Sequence, residues 1–261
     1  MNALLDGLAA LGRGAFAACR FAGALTLFAL AGVSHLLRPP FHLRAFLRAF
    51  VEFAYFSLPV VALTAVFTGM VLALQSSTGL SRFSAESAMP NLVVLSITRE
   101  LGPVLAGLMV AGRVGAAMAA EIGTMRVTDQ IDALTTLSTN PMKYLVAPRL
   151  LAGLLALPLL VLVADILGVL GGFIIATVSL GFNRAIYLEN TFNYMTTQDV
   201  VSGLTKAAVF GFVIALLGCY HGYRSRGGAQ GVGAATTSAV VGASILILAF
   251  DYVLTELFFA R

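Results

Sequence analysis

Between Glu52 and Arg82 the chain runs for 29 residues without one Asp, Glu, Lys or Arg. As a helix that stretch rises about 43 Å, whereas about 20 apolar residues cross a hydrocarbon core about 30 Å thick. A water-soluble domain would have to hide such a run, and this chain lacks the polar surface to do it. Hydrophobic residues make up 59% and charged residues 11%, against roughly 45–50% and 25% in a soluble domain. The mean hydropathy is +0.94. Lipid is the solvent this composition fits.

Four further apolar runs follow. Residues 87–112 are broken only by Arg99 and Glu100, residues 150–183 only by Asp165, and residues 200–220 only by Lys206. The last, about 234–259, carries Asp251 and Glu256 toward its end. Without period-two alternation, such runs satisfy their backbone in lipid as helices. The expected fold is all-α: a polytopic protein with five transmembrane helices over 57–261, preceded by interfacial helices over 1–56. In the latter segment Asp6, Arg13 and Arg20 recur every seven residues, and Phe46, Phe50 and Phe53 form a helical stripe away from Arg44 and Arg48. Residues 21–37 are uncharged but short, and spanning there would put basic clusters on both sides. An amphipathic pattern of this kind lies in the membrane interface.

Placing the N-terminus inside leaves eleven Lys/Arg on cytoplasmic segments and three, Arg82, Arg184 and Arg261, on the opposite side. That bias sets the expected orientation, N-terminus in and C-terminus out. The basic pI of about 9.3 then reflects cytoplasmic loops rather than nucleic-acid binding.

Enzyme chemistry has little footing. Neither lysine, Lys143 or Lys206, follows a glycine in a phosphate-binding loop, so ATP hydrolysis is expected elsewhere. His35, His42 and His221 are scattered, no metal-ligand cluster or nucleophile elbow exists, and Gly231-x-Gly233 is only a fragment of a dinucleotide motif. No cofactor or metal is expected. Gly107, Ala111, Gly115, Ala119 and Gly123, and again Gly168 and Gly172, recur every four residues. In lipid this spacing lets helix backbones approach closely.

The longest polar loop lies between the second and third runs. Thr128 offers a cap, Asp129 and Asp132 a negative first turn, and Val127, Ile131 and Leu134 one apolar face, with Asn140-Pro141 as the stop. Pattern alone leaves this helix free to dock a soluble partner or to lie on the membrane.

Three stretches carry a resemblance: Arg99-Glu100-Leu101-Gly102-Pro103-Val104, Ala111-Gly112-Arg113-Val114-Gly115, and the run from Ala120-Glu121-Ile122-Gly123 to Asp132-Ala133-Leu134. With Asn140-Pro141, Lys206 and Asp251-Tyr252-Val253-Leu254-Thr255, they resemble the MlaE permease family, the membrane subunits of ABC-type lipid transporters that work with MCE-domain proteins. The resemblance implies a homodimer in the bacterial inner membrane, moving phospholipid between inner and outer membranes. Its implied partners are cytoplasmic ABC ATPase subunits, a periplasmic MCE-domain protein and a small cytoplasmic STAS-domain accessory subunit. It implies a coupling helix at about 121–139, with Glu121, Met125, Arg126, Asp129, Ile131 and Leu134 facing the ATPase. It also places a lipid cavity by the outer half of the first span, at Thr68, Met70, Val71, Leu72 and Gln75. An ion-coupled secondary transporter of a lipidic substrate is the alternative, suggested by the buried charges, although the halves show no internal repeat.

Those charges form an expected network of Arg99, Glu100, Asp165, Lys206 and Asp251. Lys206 and Asp251 each lie ~12 Å from the outer face and can pair across helices. Arg99 and Glu100 lie ~17 Å deep and point about 100° apart, so one is expected in that network. The other, taken as Glu100, is expected to face the cavity.

Overall fold

A computed structural model describes residues 2–36, 38–39, 42–82 and 86–259. The side chain of Asp6, and Arg261, used in the orientation count, lie outside what it describes. Among the described residues nine helices, besides a 3-10 turn at Glu86–Ala88, follow in order: α1 (Asn2–Leu36), α2 (Leu43–Ala54), α3 (Leu58–Ser81), α4 (Met89–Val127), α5 (Gln130–Thr136), α6 (Met142–Val178), α7 (Arg184–Tyr194), α8 (Thr197–Tyr223) and α9 (Gly228–Phe259). No strand occurs among the described residues. Six helical stretches there are long and apolar enough to cross a membrane. The five expected from sequence are among them. The sixth is Gly12–Leu36, and the stretch holding the first run extends back to Leu43.

α8 is the central helix, with Phe210, Ile214, Leu217 and Cys219 buried against α4, α6 and α9. Glycines make the crossings possible. A Cβ on Gly69 of α3 would stand 1.8 Å from the Gly168 carbonyl oxygen of α6, and one on Gly211 of α8 would stand 2.0 Å from that of Gly153. The four-residue stripe on α4 meets a matching row on α8, because Cβ atoms at Gly218 and Gly222 would reach the carbonyls of Gly115 and Ala119. Close approach at these spacings is the packing mode of membrane helices.

Prolines shape the helices. Pro59 sits in the first turn of α3, where its ring would clash with the carbonyl four residues back, and the chain breaks between α2 and α3 at Tyr55–Ser57. Arg113 secures that bend, donating to the Glu52 carbonyl (3.1 Å) and the Ser57 hydroxyl (2.9 Å). π-turns at Ile97–Leu101 and Met142–Val146 each end two residues before a proline, Pro103 and Pro148. A third, Ala111–Gly115, carries Arg113.

α1 keeps to one end of the bundle. Phe21 packs edge-on to Tyr220 at 5.7 Å, and Phe28 meets both Tyr220 and Tyr223. Further on, Gly32 lies against Leu150 and Val146, and His35 bonds Asn140 at 3.0 Å. Those partners are the end of α8, the start of α6 and the loop before it.

Candidate functional site

A single ammonium joins α4, α8 and the last turns of α9. Pro103 has no N–H to offer the turn before it, and Lys206 Nζ donates to the Arg99 carbonyl in that turn at 3.0 Å. Its other two protons go to Glu100 Oε2 and Thr255 Oγ1, both at 2.7 Å. Lys206 is fully buried, and all three of its donors are used. Asp251 Oδ1 lies 2.9 Å from the same nitrogen, an ion contact without hydrogen-bond alignment. Thr255 in turn sends its own proton to Glu100 Oε1 (3.1 Å) or to the Asp251 carbonyl (2.8 Å). The expected Lys206–Asp251 contact is therefore present.

Arg99 and Glu100 do not divide between network and cavity as expected. Glu100 joins Lys206, while Arg99 reaches Asp199 through Nε (2.7 Å) and NH2 (2.6 Å) and lies 4.3 Å from the Phe259 ring. Both residues thus bond α8, at positions two turns apart. A 100° separation of neighbours belongs to a regular α-helix, and the π-turn over Ile97–Leu101 departs from one. Gly203 lets α8 come this close, since a Cβ there would meet the Thr98 carbonyl at 2.3 Å.

Asp199 was missed by sequence reasoning. Its Oδ2 accepts the Thr196 N–H at 2.9 Å, the return limb of a capping box, while Oδ1 takes Arg99. Thr196-x-x-Asp199 ahead of an apolar run is the signal that marks it. Asp199→Asn keeps an acceptor for the cap and loses the charge. It should lower stability by about 1.5–3 kcal/mol, at the smaller end because Arg99 is one-third exposed. The melting temperature of the detergent-solubilised chain reads this, and an unchanged midpoint would show that the pair holds nothing.

Asp165 stands apart from the network. It is buried on α6, its Oδ1 has no hydrogen-bond partner, and it fills the space left by Gly102. The residues expected at the lipid cavity are also not gathered into one site within this chain. Thr68 lines a narrow cleft with Ile97, Leu101 and Gly102. Val71 and Gln75 are exposed one turn apart, Met70 is half-buried, and Leu72 packs on a small cluster around Met89 and Tyr187. Glu100 turns the other way, to α8 and α9.

The polar loop departs from its expected form as well. Thr128 closes α4, donating to Thr124 O at 2.8 Å, and Asp129, at φ 58°, takes the N-cap position of α5. α5 ends at Thr136, and Asn140 serves the next helix by accepting the Met142 N–H at 3.0 Å. Ile131 is buried and Leu134 packs on the core, so the apolar face of α5 is covered by its own chain. Glu121 pairs with Arg149 (2.8 Å), Arg126 with Asp132 (2.6 Å), and Met125 is half-buried beside them. The face left open carries Asp129, Asp132 and Leu137, the last 75% exposed.

Long apolar helices joined through glycine crossings around a saturated buried ammonium define a multi-pass α-helical membrane protein. The family described as Permease MlaE matches residues 46–257. A probable ABC transporter permease protein of Rickettsia felis is 60% identical over 91% of this chain and 92% of its own length. The Haemophilus influenzae intermembrane phospholipid transport system permease protein MlaE is 35% identical over 78% of each chain. The chloroplastic protein TRIGALACTOSYLDIACYLGLYCEROL 1 of Arabidopsis thaliana is 36% identical over 87% of this chain and 65% of its own. The chain belongs to the MlaE permease family, and it is a transport component of the ABC permease type.

Proposed function

We propose that this permease moves phospholipid between the inner and outer membranes of a bacterium, as a homodimer in the inner membrane with its N-terminus cytoplasmic. The observation that carries the reading is the identity with the Haemophilus phospholipid permease across most of both chains. ATP would be hydrolysed by separate cytoplasmic ABC subunits gripping the open face of α5, through Asp129, Asp132 and Leu137. A periplasmic MCE-domain protein would receive or deliver lipid at the end bearing α7, and a STAS-domain subunit would attend the ATPase. The contacts of α1, all at one end of the bundle, support an interfacial helix preceding the five-span domain at 57–261.

The test is to purify the chain with the products of neighbouring genes and measure orthovanadate-sensitive ATPase activity together with transfer of labelled phospholipid. An ion-coupled transporter would move lipid under a proton or sodium gradient without ATP. Glu121→Lys refines the test. It reverses the half-exposed partner of a pair whose Arg149 is largely buried, and the protein should accumulate and retain ATPase while lipid transfer is uncoupled from hydrolysis. Normal transfer in this variant would remove Glu121 from coupling.

A further inference from the structure

A cavity of about 820 Å3 lies outside the ion network, at the end that bears α5. α2 walls it with Arg44, Arg48 and Glu52, and Tyr144 at the start of α6 faces them across it. Glu121 and Arg149 also line it, but each is taken up by the other at 2.8 Å. Arg44 and Arg48 are exposed and enter no ion pair or side-chain hydrogen bond among the described residues, and Glu52 enters no ion pair. Two guanidiniums against one carboxylate leave an excess of one positive charge, which the single negative charge of a phosphodiester would balance. Spaced i and i+4, the arginines project side by side, about 5–6 Å apart at Cβ, a spacing that suits one phosphate between them.

The next face of α2 has the opposite character. A second cavity, about 590 Å3, shares Arg48 and Glu52 and continues along Leu47, Val51 and Phe56 to Arg113. Those three apolar side chains are 46–55% exposed. A charged recess opening onto an apolar lane along one helix matches the two halves of a lipid.

We propose that the two cavities together hold one anionic phospholipid. Its phosphate sits between Arg44 and Arg48 and is met by the Tyr144 hydroxyl, which the T-shaped contact of its ring with His42 at 5.3 Å holds in place. Its acyl chains lie along Leu47, Val51 and Phe56. Basic recesses at the cytoplasmic boundary of membrane helices attract acidic headgroups, and charge-assisted guanidinium–phosphate bonds are strong. The inference rests on the proposed orientation, which puts this end at the cytoplasmic leaflet. It does not rest on transport.

The full chain is reconstituted into phosphatidylcholine vesicles carrying a trace of photoactivatable phosphatidylglycerol, without ATPase or nucleotide, and crosslinked peptides are mapped by mass spectrometry. Labelling is expected at Leu47, Val51 and Tyr144. In R44Q/R48Q it should fall about thirtyfold, the attraction of two basic residues at a membrane surface, while labelling around Leu74 on α3 stays unchanged and reports an intact fold. R44K/R48K, which retains the charge, should keep most of the labelling. Three results would overturn the proposal: equal labelling in R44Q/R48Q, equal capture of photoactivatable phosphatidylcholine, or full competition by free glycerol phosphate, which would make the site one for soluble phosphates. Complete loss of labelling when the ATPase subunit is added to wild type would overturn it too, by making the recess a protein interface. Because no ATP is present, a chain that fails to transport can still pass.

Discussion

Lys206→Met should nearly abolish accumulation of the protein in the membrane. Its ammonium is fully buried and its three protons go to the Arg99 carbonyl, Glu100 and Thr255, with Asp251 in ion contact. Removing it strands two carboxylates and one backbone carbonyl in a region where a lone charge costs several kcal/mol. Deleting one partner of a buried ionic set typically costs 3–5 kcal/mol, a large part of a total stability of about 5–15 kcal/mol. Loss of protein alone does not separate a packing device from a working part. The neutral triple variant does: Glu100→Gln, Lys206→Met and Asp251→Asn together remove the charges without leaving any uncompensated, and protein level should recover. Quantitative immunoblotting of membranes reads the level, and transfer of labelled phospholipid by the reconstituted complex reads the function. A triple variant that accumulates but does not transfer lipid assigns the network to transport; one that transfers normally makes it purely structural.

The parts of this arrangement that sequence made legible are those governed by length and depth. Apolar runs located five of the six span-length helices, and counting residues from the outer face put Lys206 and Asp251 at one level, where they meet. Direction was less legible than depth. Arg99 and Glu100 were assigned by regular helical geometry, and a π-turn ahead of Pro103 rotated both onto α8. The proline was visible, but its consequence depends on a lysine more than one hundred residues away taking the Arg99 carbonyl. Ile131 failed for a related reason: an apolar stripe on a short helix is the same pattern whether its own chain or a partner covers it, and here its own chain does. Asp199 takes Arg99 from 100 residues away and Arg113 reaches Ser57 across 56, separations that periodicity does not see. The glycines divide in the same way. The four-residue stripe on α4 could be read, and Gly203, Ala207, Gly211 and Ala215 on α8 repeat its spacing, whereas Gly153 belongs to no run of that kind and acquires meaning only from the helix opposite.

Gly69→Val is expected to be as damaging as loss of Lys206, without touching any charge. α3 and α6 cross at Gly69 and Gly168, where the closest heavy atom to a Cβ on Gly69 would be a backbone oxygen at 1.8 Å. A side-chain tip can swing away from such a clash, but a carbonyl held in a helix can yield only by moving its helix. Moving α6 at that point pulls Gly171 off Val66 and Gly172 off Val93 and Tyr187, the next contacts along the same face. Small-to-large changes in a packed core ordinarily cost about 1–3 kcal/mol, and here the obstacle is backbone on both sides, so the cost should exceed that range. Even Gly69→Ala should be poorly tolerated, because the clash begins at Cβ. Gly79→Val supplies the control: it lies ten residues further along the same helix, meets nothing within 4 Å, and places the same β-branched residue at an exposed position. The pair is read by the fraction of each variant surviving as a monodisperse species after detergent extraction. If Gly69→Val matches Gly79→Val, the two backbones do not cross at that point, and the packing of α3 on α6 would have to be redrawn.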